Sequence, residues 1–365
     1  MSSMVAEGLG KPLLRQAYGA ALGLHALASA ATSGAKGPPR VFYGGARSGD
    51  VGGPLVKVKR LREFFPERRW DYNLVYCLSN APYLPDMALA LLKRRGVPIV
   101  HNQNGVFYAG WYDGDWRAQN ARMARSYHAA DHVFWQSEFC RRCADEFLGP
   151  RAGAGEILFN AIDTARFRPM ARPAGDRFTF LLTGKIDLHL YYRLESTIAG
   201  LAAARAKGLD AQLVIAGWVA EDAEIRAKAQ AAALGIANQV SFSGAFTQEA
   251  APNIYGAADA YVMTKHNDPC PNTVLEAMAC GLPVLYSSSG GVPELVGADA
   301  GIGLAVRESW GAPEVPEAGA IADGMFAIAQ QRDRMARAAR ERAAAEFDIV
   351  YWIGRHRAVF ERLLA

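Results

Sequence analysis

The sequence predicts an α/β protein built as two parallel-sheet domains, and three observations carry that prediction. Short apolar β-type runs alternate with helical periodicity along most of the chain. The alternation pauses at a Pro/Arg-rich linker, residues 166–177, and then starts again. With 365 residues and 51% apolar composition, the chain can bury two cores of ordinary size.

Val41-Phe-Tyr43 reads as a strand that ends in Gly44-Gly45, and a second glycine cluster spans Gly49 to Gly53. Leu55, Val58 and Leu61 then recur at helical spacing. Leu74–Leu78 is a strand, Pro85–Arg95 a helix, and Val97–Val100 a strand running into His101. A helix near Arg117–His128 precedes the strand Val133–Trp135. Parallel sheets bind ligands where their strands end, which puts His101 and Gly105 on the functional edge. After the linker come a strand (Phe178–Leu182), a helix (Ser196–Lys207), a strand (Ala211–Ala216), a helix (Ala223–Leu234) and a strand (Val240–Phe242). A short helix and the strands Ala260–Met263 and Val284–Tyr286 follow. The tail is a charged helix, Ile321–Glu346, and an amphipathic finish from Phe347 to Leu363.

The net charge of +4 is unevenly spread: residues 1–165 hold 20 basic and 14 acidic side chains, and residues 166–365 hold 20 and 22. The basic first half suits an ordinary solvated surface or an anionic partner such as a phospholipid face. The basic residues are scattered, without an aromatic-basic motif, so no nucleic acid partner is expected. Five cysteines do not suggest a disulfide framework, and a cytoplasmic location is expected. His128, His132, Cys140 and Cys143 have metal-ligand spacing, but they flank an apolar strand and need not converge; no metal site is expected. Lys11 and Arg15 precede the apolar stretch Ala17–Ala28, which is too short to span a bilayer and reads as a helical lead-in or an interfacial helix.

The chemistry concentrates in Asp268-Pro-Cys-Pro-Asn-Thr-Val-Leu-Glu276-Ala-Met-Ala-Cys-Gly-Leu-Pro-Val284. Asn272 or Thr273 is placed to cap a helix through Met278, and Gly281 to end it in the left-handed conformation. Helix N-terminal amides make an anion site, and Pro269 and Pro271 stiffen the loop without adding donors. Glu276, one turn in, can accept hydrogen bonds from a vicinal diol, and Asp268 can do the same for a second polyol. As purely structural features, Glu276 would be a capping carboxylate and Asp268 a turn residue.

This segment, with Ser287-Ser-Ser-Gly-Gly-Val-Pro-Glu294 after it, resembles the donor-binding region of retaining glycosyltransferases of family 4. Gln136-Ser137-Glu-Phe, Asn160-Ala-Ile-Asp163, Val240-x-Phe242-x-Gly244, Ile254-Tyr255 and the C-terminal Phe347 and Trp352 extend the resemblance over most of the chain. It implies the GT-B architecture: two Rossmann-like domains facing each other across a cleft, with a C-terminal helix crossing back. The corresponding boundaries are a lead-in at 1–37, an acceptor-side domain at 38–167, a donor-binding domain at 168–346 and the crossing helix at 347–365.

The resemblance further implies a nucleotide-diphosphate sugar donor, no cofactor and no metal. Glu276 would hold the ribose and Asp268 the transferred sugar, assisted by Pro271, Asn272, Thr273 and Val274. Lys185 and Arg193, with Gly184, would neutralise the diphosphate, the two cations standing in exchanged order relative to the family. Phe246 would lie by the base, Gly52 and Gly53 would form the first domain's glycine loop, and His101 would face the sugar. The family usually has Glu where this chain has Asp268. The implied activity is sugar transfer to a hydroxyl acceptor in bacterial polysaccharide, lipopolysaccharide or glycolipid assembly, in the cytoplasm or peripherally on the inner face of the plasma membrane. The alternative is a catalytically weak, nucleotide-sugar-binding scaffold subunit of a glycosyltransferase complex.

Overall fold

The computed structural model describes residues 17–18, 20–21, 23–25, 27–29, 36–49, 53–79, 84–171 and 177–365. They form two compact units. The first comprises residues up to Tyr108, Tyr112–Leu158 and Ile353–Ala365; the second comprises Ala109–Trp111 and Phe159–Trp352.

The first unit holds a five-stranded, all-parallel sheet in the order β1 (Val41–Phe42), β2 (Leu74–Leu78), β3 (Ile99–Gln103), β4 (His132–Trp135), β5 (Gly155–Ile157). β2 and β4 are buried at every position, as parallel strands covered on both faces require. Helices Gly53–Phe64, Asp86–Arg94, Trp116–Ala129 and Glu138–Phe147 connect the strands. The last of these carries Phe139, Cys140, Cys143, Ala144 and Phe147 at helical spacing, an element not among those expected from the sequence. Ser137 starts it, its hydroxyl accepting the Cys140 amide at 3.1 Å. The described residues between 17 and 29 are helical, and His25 packs against Phe42 and Trp70. Lys11 and Arg15 lie outside the described residues. The C-terminal helix Ile349–Leu364 passes from the second unit to the first after Trp352; His356 bonds Tyr76 Oη at 2.9 Å and Phe360 packs edge-on to Phe65.

The histidines and cysteines with metal-ligand spacing have separate partners. His128 Nε2 lies 2.7 Å from the Leu148 carbonyl and His132 Nδ1 3.1 Å from Arg362, while the Cys140 thiol donates to the Asn104 carbonyl at 3.1 Å. Among the described residues no group of three or more His, Cys, Asp or Glu is arranged to hold a metal ion. No described helix is long and apolar enough to cross a membrane.

The second unit holds six strands: β6 (Phe178–Thr183), β7 (Ala211–Ala216), β8 (Val240–Gly244), β9 (Ala260–Met263), β10 (Val284–Ser287) and β11 (Gly301–Leu304). They form one parallel sheet in the order β11-β10-β9-β6-β7-β8. The chain winds outward from β6 to β8, returns to the sheet's centre at β9, and winds the other way to β11. Helix Tyr192–Ala206 packs with the long helix Ala318–Glu346, where Gly200 lies so close to Ile321 that an added Cβ would sit 2.2 Å from it. Arg340 Nη1 ties three carbonyls together, donating to Thr164 at 3.1 Å and to Phe167 and Ala279 at 2.9 Å each.

Candidate functional site

In an open parallel sheet, the crevice for a ligand opens at the carboxyl ends of the two strands where the winding reverses. In the second unit those strands are β6 and β9, paired through Phe180–Ala260 and Leu181–Tyr261. Gly184 and Lys185 follow β6 directly, and the run from Thr264 to Asp268 follows β9. The topology therefore brings the predicted cations and carboxylates to one edge.

Gly184 has φ +148°, and a Cβ there would sit 3.0 Å from Arg193 Nη1. The missing side chain is what admits the guanidinium. Arg193, one residue into helix Tyr192–Ala206, is only 4% exposed. Its Nη2 donates to the Thr183 carbonyl at 3.2 Å and approaches Met263 Sδ at 3.9 Å, while its Nε has no partner. No carboxylate pairs with it among the described residues. A buried cation without a counter-charge is costly and fits a place where an anion binds. Lys185 is exposed, its ammonium 5.0 Å from the Trp218 ring centre.

Helix Asn272–Ala279 starts one residue earlier than a capping Asn272 would place it, and two earlier than a capping Thr273. Pro271 is its N-cap, at φ −71° and ψ 121°, and no side chain caps it. Proline's fixed φ sets the turn, so Asn272 and Thr273 become the first helical residues and their amides stay without acceptors among the described residues. Val274 is fully buried in the core behind them. Gly281 ends the helix at φ +75°, in the conformation expected of it.

Glu276 is 6% exposed and accepts a 2.8 Å hydrogen bond from Tyr255 Oη. Burial holds the Tyr255 proton on, pushing its pKa well above the ordinary value, with Glu276 and Tyr261 adding to the effect. Behind it, Thr183 Oγ1 lies 3.2 Å from Tyr255 Oη and 2.9 Å from Tyr261 Oη. Asp268 forms a 2.8 Å ion pair with Lys265, and its Oδ1 accepts the Cys270 amide at 3.3 Å. Asn267, before it, takes φ 52°, rare outside glycine. Phe246, just past β8, is half-buried against the core.

In the first unit, His101 is not presented at a strand end. β3 continues to Gln103, so His101 lies mid-strand, 0% exposed, with Nε2 2.9 Å from Gln103 Oε1. Burial lowers its pKa to about 4, which keeps it neutral. The strand-end position belongs instead to Asn104, whose Oδ1 accepts from Lys57 Nζ at 3.2 Å and from Gln136 at 2.5 Å. Lys57 also donates to Asn102 at 2.6 Å. Gly53 opens the helix Gly53–Phe64, and Gly52 lies outside the described residues. Tyr255 and Lys57 carry no local signal as site residues, because their contacts join parts of the chain 21 and 45 or more residues apart, and Lys265 becomes relevant through its pair with Asp268 and the Trp111 ring over it.

Residues 182–342 match the family model of glycosyl transferases group 1. The glycogen synthase of Mycobacterium tuberculosis is 26% identical over 309 residues, covering 79% of this chain and 68% of that protein. A GDP-mannose-dependent alpha-(1-6)-phosphatidylinositol monomannoside mannosyltransferase of the same organism is 28% identical over 267 residues, 67% of this chain and 64% of its own length. Among solved structures, Anabaena Alr3699/HepE in complex with UDP superposes with TM-score 0.64 at 18% identity, covering 85% of this chain and 82% of that one. Sucrose-phosphate synthase of Thermosynechococcus elongatus superposes at 0.62 with 20% identity, covering 85% and 77%. The chain is a glycosyltransferase of the GT-B fold, and the part of its second unit from residue 182 to 342 is similar to the glycosyl transferases group 1.

Proposed function

We propose that the protein is a retaining, family 4 type transferase that moves a sugar from a nucleotide-diphosphate sugar to a hydroxyl acceptor. The observation that carries this reading is Arg193: a buried guanidinium without a carboxylate partner among the described residues, donating to the Thr183 carbonyl at the end of β6, where the winding of the sheet reverses. A diphosphate supplies the missing negative charge. The solved structure in complex with UDP and the GDP-mannose-dependent relative support a donor of that class.

In this reading Lys185 and Arg193 stabilise the departing diphosphate, assisted by Gly184 and the amides around Pro271 to Val274. Glu276 accepts from the ribose hydroxyls, Asp268 from the transferred sugar, and Phe246 lies by the base. The acceptor oxygen bonds to the anomeric carbon on the face from which the phosphate oxygen leaves, and the acceptor proton passes to that oxygen. These residues need no metal to meet the charge of the leaving group. The basic first half of the chain suits a lipid-linked or envelope acceptor at an anionic membrane face.

Calorimetry with UDP, GDP and their hexose conjugates, followed by a turnover assay with crude lipid acceptors, tests the proposal. Binding followed by sugar transfer is expected, with both lost in R193A and reduced in E276A. Full activity in both variants would overturn the assignment. Binding without turnover would instead make the protein a nucleotide-sugar-binding scaffold subunit.

A further inference from the structure

Asp268 is clamped from several sides. The Gly291 amide donates to its carbonyl at 2.9 Å, and at Gly290 a Cβ would lie 2.4 Å from the same oxygen. The Asn267 amide donates to Ser289 Oγ at 3.0 Å and its side-chain amide to the Ser309 carbonyl at 3.0 Å, which holds the left-handed turn that aims Asp268. The carboxylate is therefore presented in one place. It is one methylene, about 1.5 Å, shorter than a glutamate there would be.

Lys265 fills that shortfall. Its ammonium lies 2.8 Å from Asp268 Oδ2 and 4.9 Å from the centre of the Trp111 ring, and its side chain is 22% exposed. Asp268 takes one of the three ammonium protons, and no other acceptor among the described residues takes a second. Trp111 is fixed in turn: the neighbouring Gly110 amide donates to the Trp310 carbonyl at 2.7 Å, and the Trp111 ring lies 6.0 Å from that of His189. A bare carboxylate can only accept hydrogen bonds, whereas this pair accepts and donates side by side. That combination matches two adjacent hydroxyls of a pyranose, one donating to Asp268 and the other accepting from Lys265.

We propose that Lys265, held by Trp111, is a specificity-determining residue that binds the transferred sugar jointly with Asp268, and that the site takes hexosyl units carrying two neighbouring free hydroxyls at that position. The inference rests on the function proposed above and separates from it experimentally. The full chain is titrated calorimetrically with UDP and GDP, each alone and as its glucose and mannose conjugate, in wild type, K265M and K265R, with melting temperatures recorded.

The expected result is that K265M binds the free nucleoside diphosphate within about twofold of wild type and melts normally, but loses at least about tenfold of the affinity the sugar adds. Turnover should show a raised donor KM with a smaller change in kcat, and K265R should recover part of the loss. An unchanged sugar increment in K265M would overturn the inference while leaving the proposed function intact. Equal loss of diphosphate and conjugate binding would also overturn it, because Lys265 would then act on the site as a whole. If neither nucleoside diphosphate binds wild type, the proposed function fails, and the inference falls with it.

Discussion

The Tyr255 hydroxyl donates a 2.8 Å hydrogen bond to Glu276 Oε2, at the end of a buried chain that runs through Thr183 to Tyr261. The geometry fixes one carboxylate oxygen from behind. Y255F removes that donor and leaves a nearly isosteric ring. We expect a stability loss of about 1 kcal/mol and a several-fold weaker nucleoside diphosphate affinity, as calorimetry would record. Unchanged affinity would show that Glu276 is oriented by other contacts.

Arg193 predicts opposite effects on stability and binding. Removing an uncompensated buried cation relieves a desolvation cost, so R193M should melt at or above the wild-type temperature. Its nucleoside diphosphate affinity should fall by about 10- to 100-fold, the worth of charge-assisted hydrogen bonds to phosphate. A joint fall of melting temperature and affinity would make Arg193 a structural residue.

His101 sets an acid limit on stability. Its pKa is lowered from 6.5 to about 4 by burial, so on acidification the unfolded chain takes up a proton before the folded one does. The stability tied to its neutral form is complete above pH 6.5 and is lost as pH falls toward 4, up to about 3 kcal/mol. His132, also lowered to about 4 by burial with Arg362, Arg151 and Arg355 adding to it, acts in the same direction. Urea denaturation from pH 7 to pH 4 should show the loss, and H101L should flatten the profile. Equal slopes in the two proteins would refute the assignment to His101.

Gly281 ends helix Asn272–Ala279 at φ +75°, and a Cβ there would meet Pro169 Cγ at 3.1 Å. G281A should cost about 1–2 kcal/mol in chemical denaturation, from the left-handed backbone and the tight contact together. A change below about 0.3 kcal/mol would show that the helix end relaxes freely.

The sequence carried the elements whose signal is local. β2 is a continuous apolar run, β6 and β7 are apolar runs broken only by Thr179, Thr183 and Gln212, and the glycine at 281 announces its helix end directly. Three other features were not legible because their cause lies elsewhere in the chain. β11 contains Gly301 and Gly303, which lack the usual strand character, yet it pairs with β10 along its whole length. Pro271 displaced the expected cap because its φ is fixed whatever the neighbouring side chains offer. His101 reads as a strand-end residue until β3 is seen to run on to Gln103. At the site, Gly184 and Lys185 follow β6, and Asp268 follows β9, the two strands at which the winding reverses. Lys265 and Asp268 pair over only three residues, whereas the placement of Trp111 against Lys265 follows from tertiary structure that no local pattern encodes.

The reversal between β6 and β9 also bears on how such a protein can diversify. Lys185 and Gly184 hang from one strand end and Lys265 and Asp268 from the other, so each set can mutate without moving its neighbour. Under the function proposed above, a lineage could exchange the residues after β9 and acquire a taste for a different sugar while the residues after β6 are inherited unchanged.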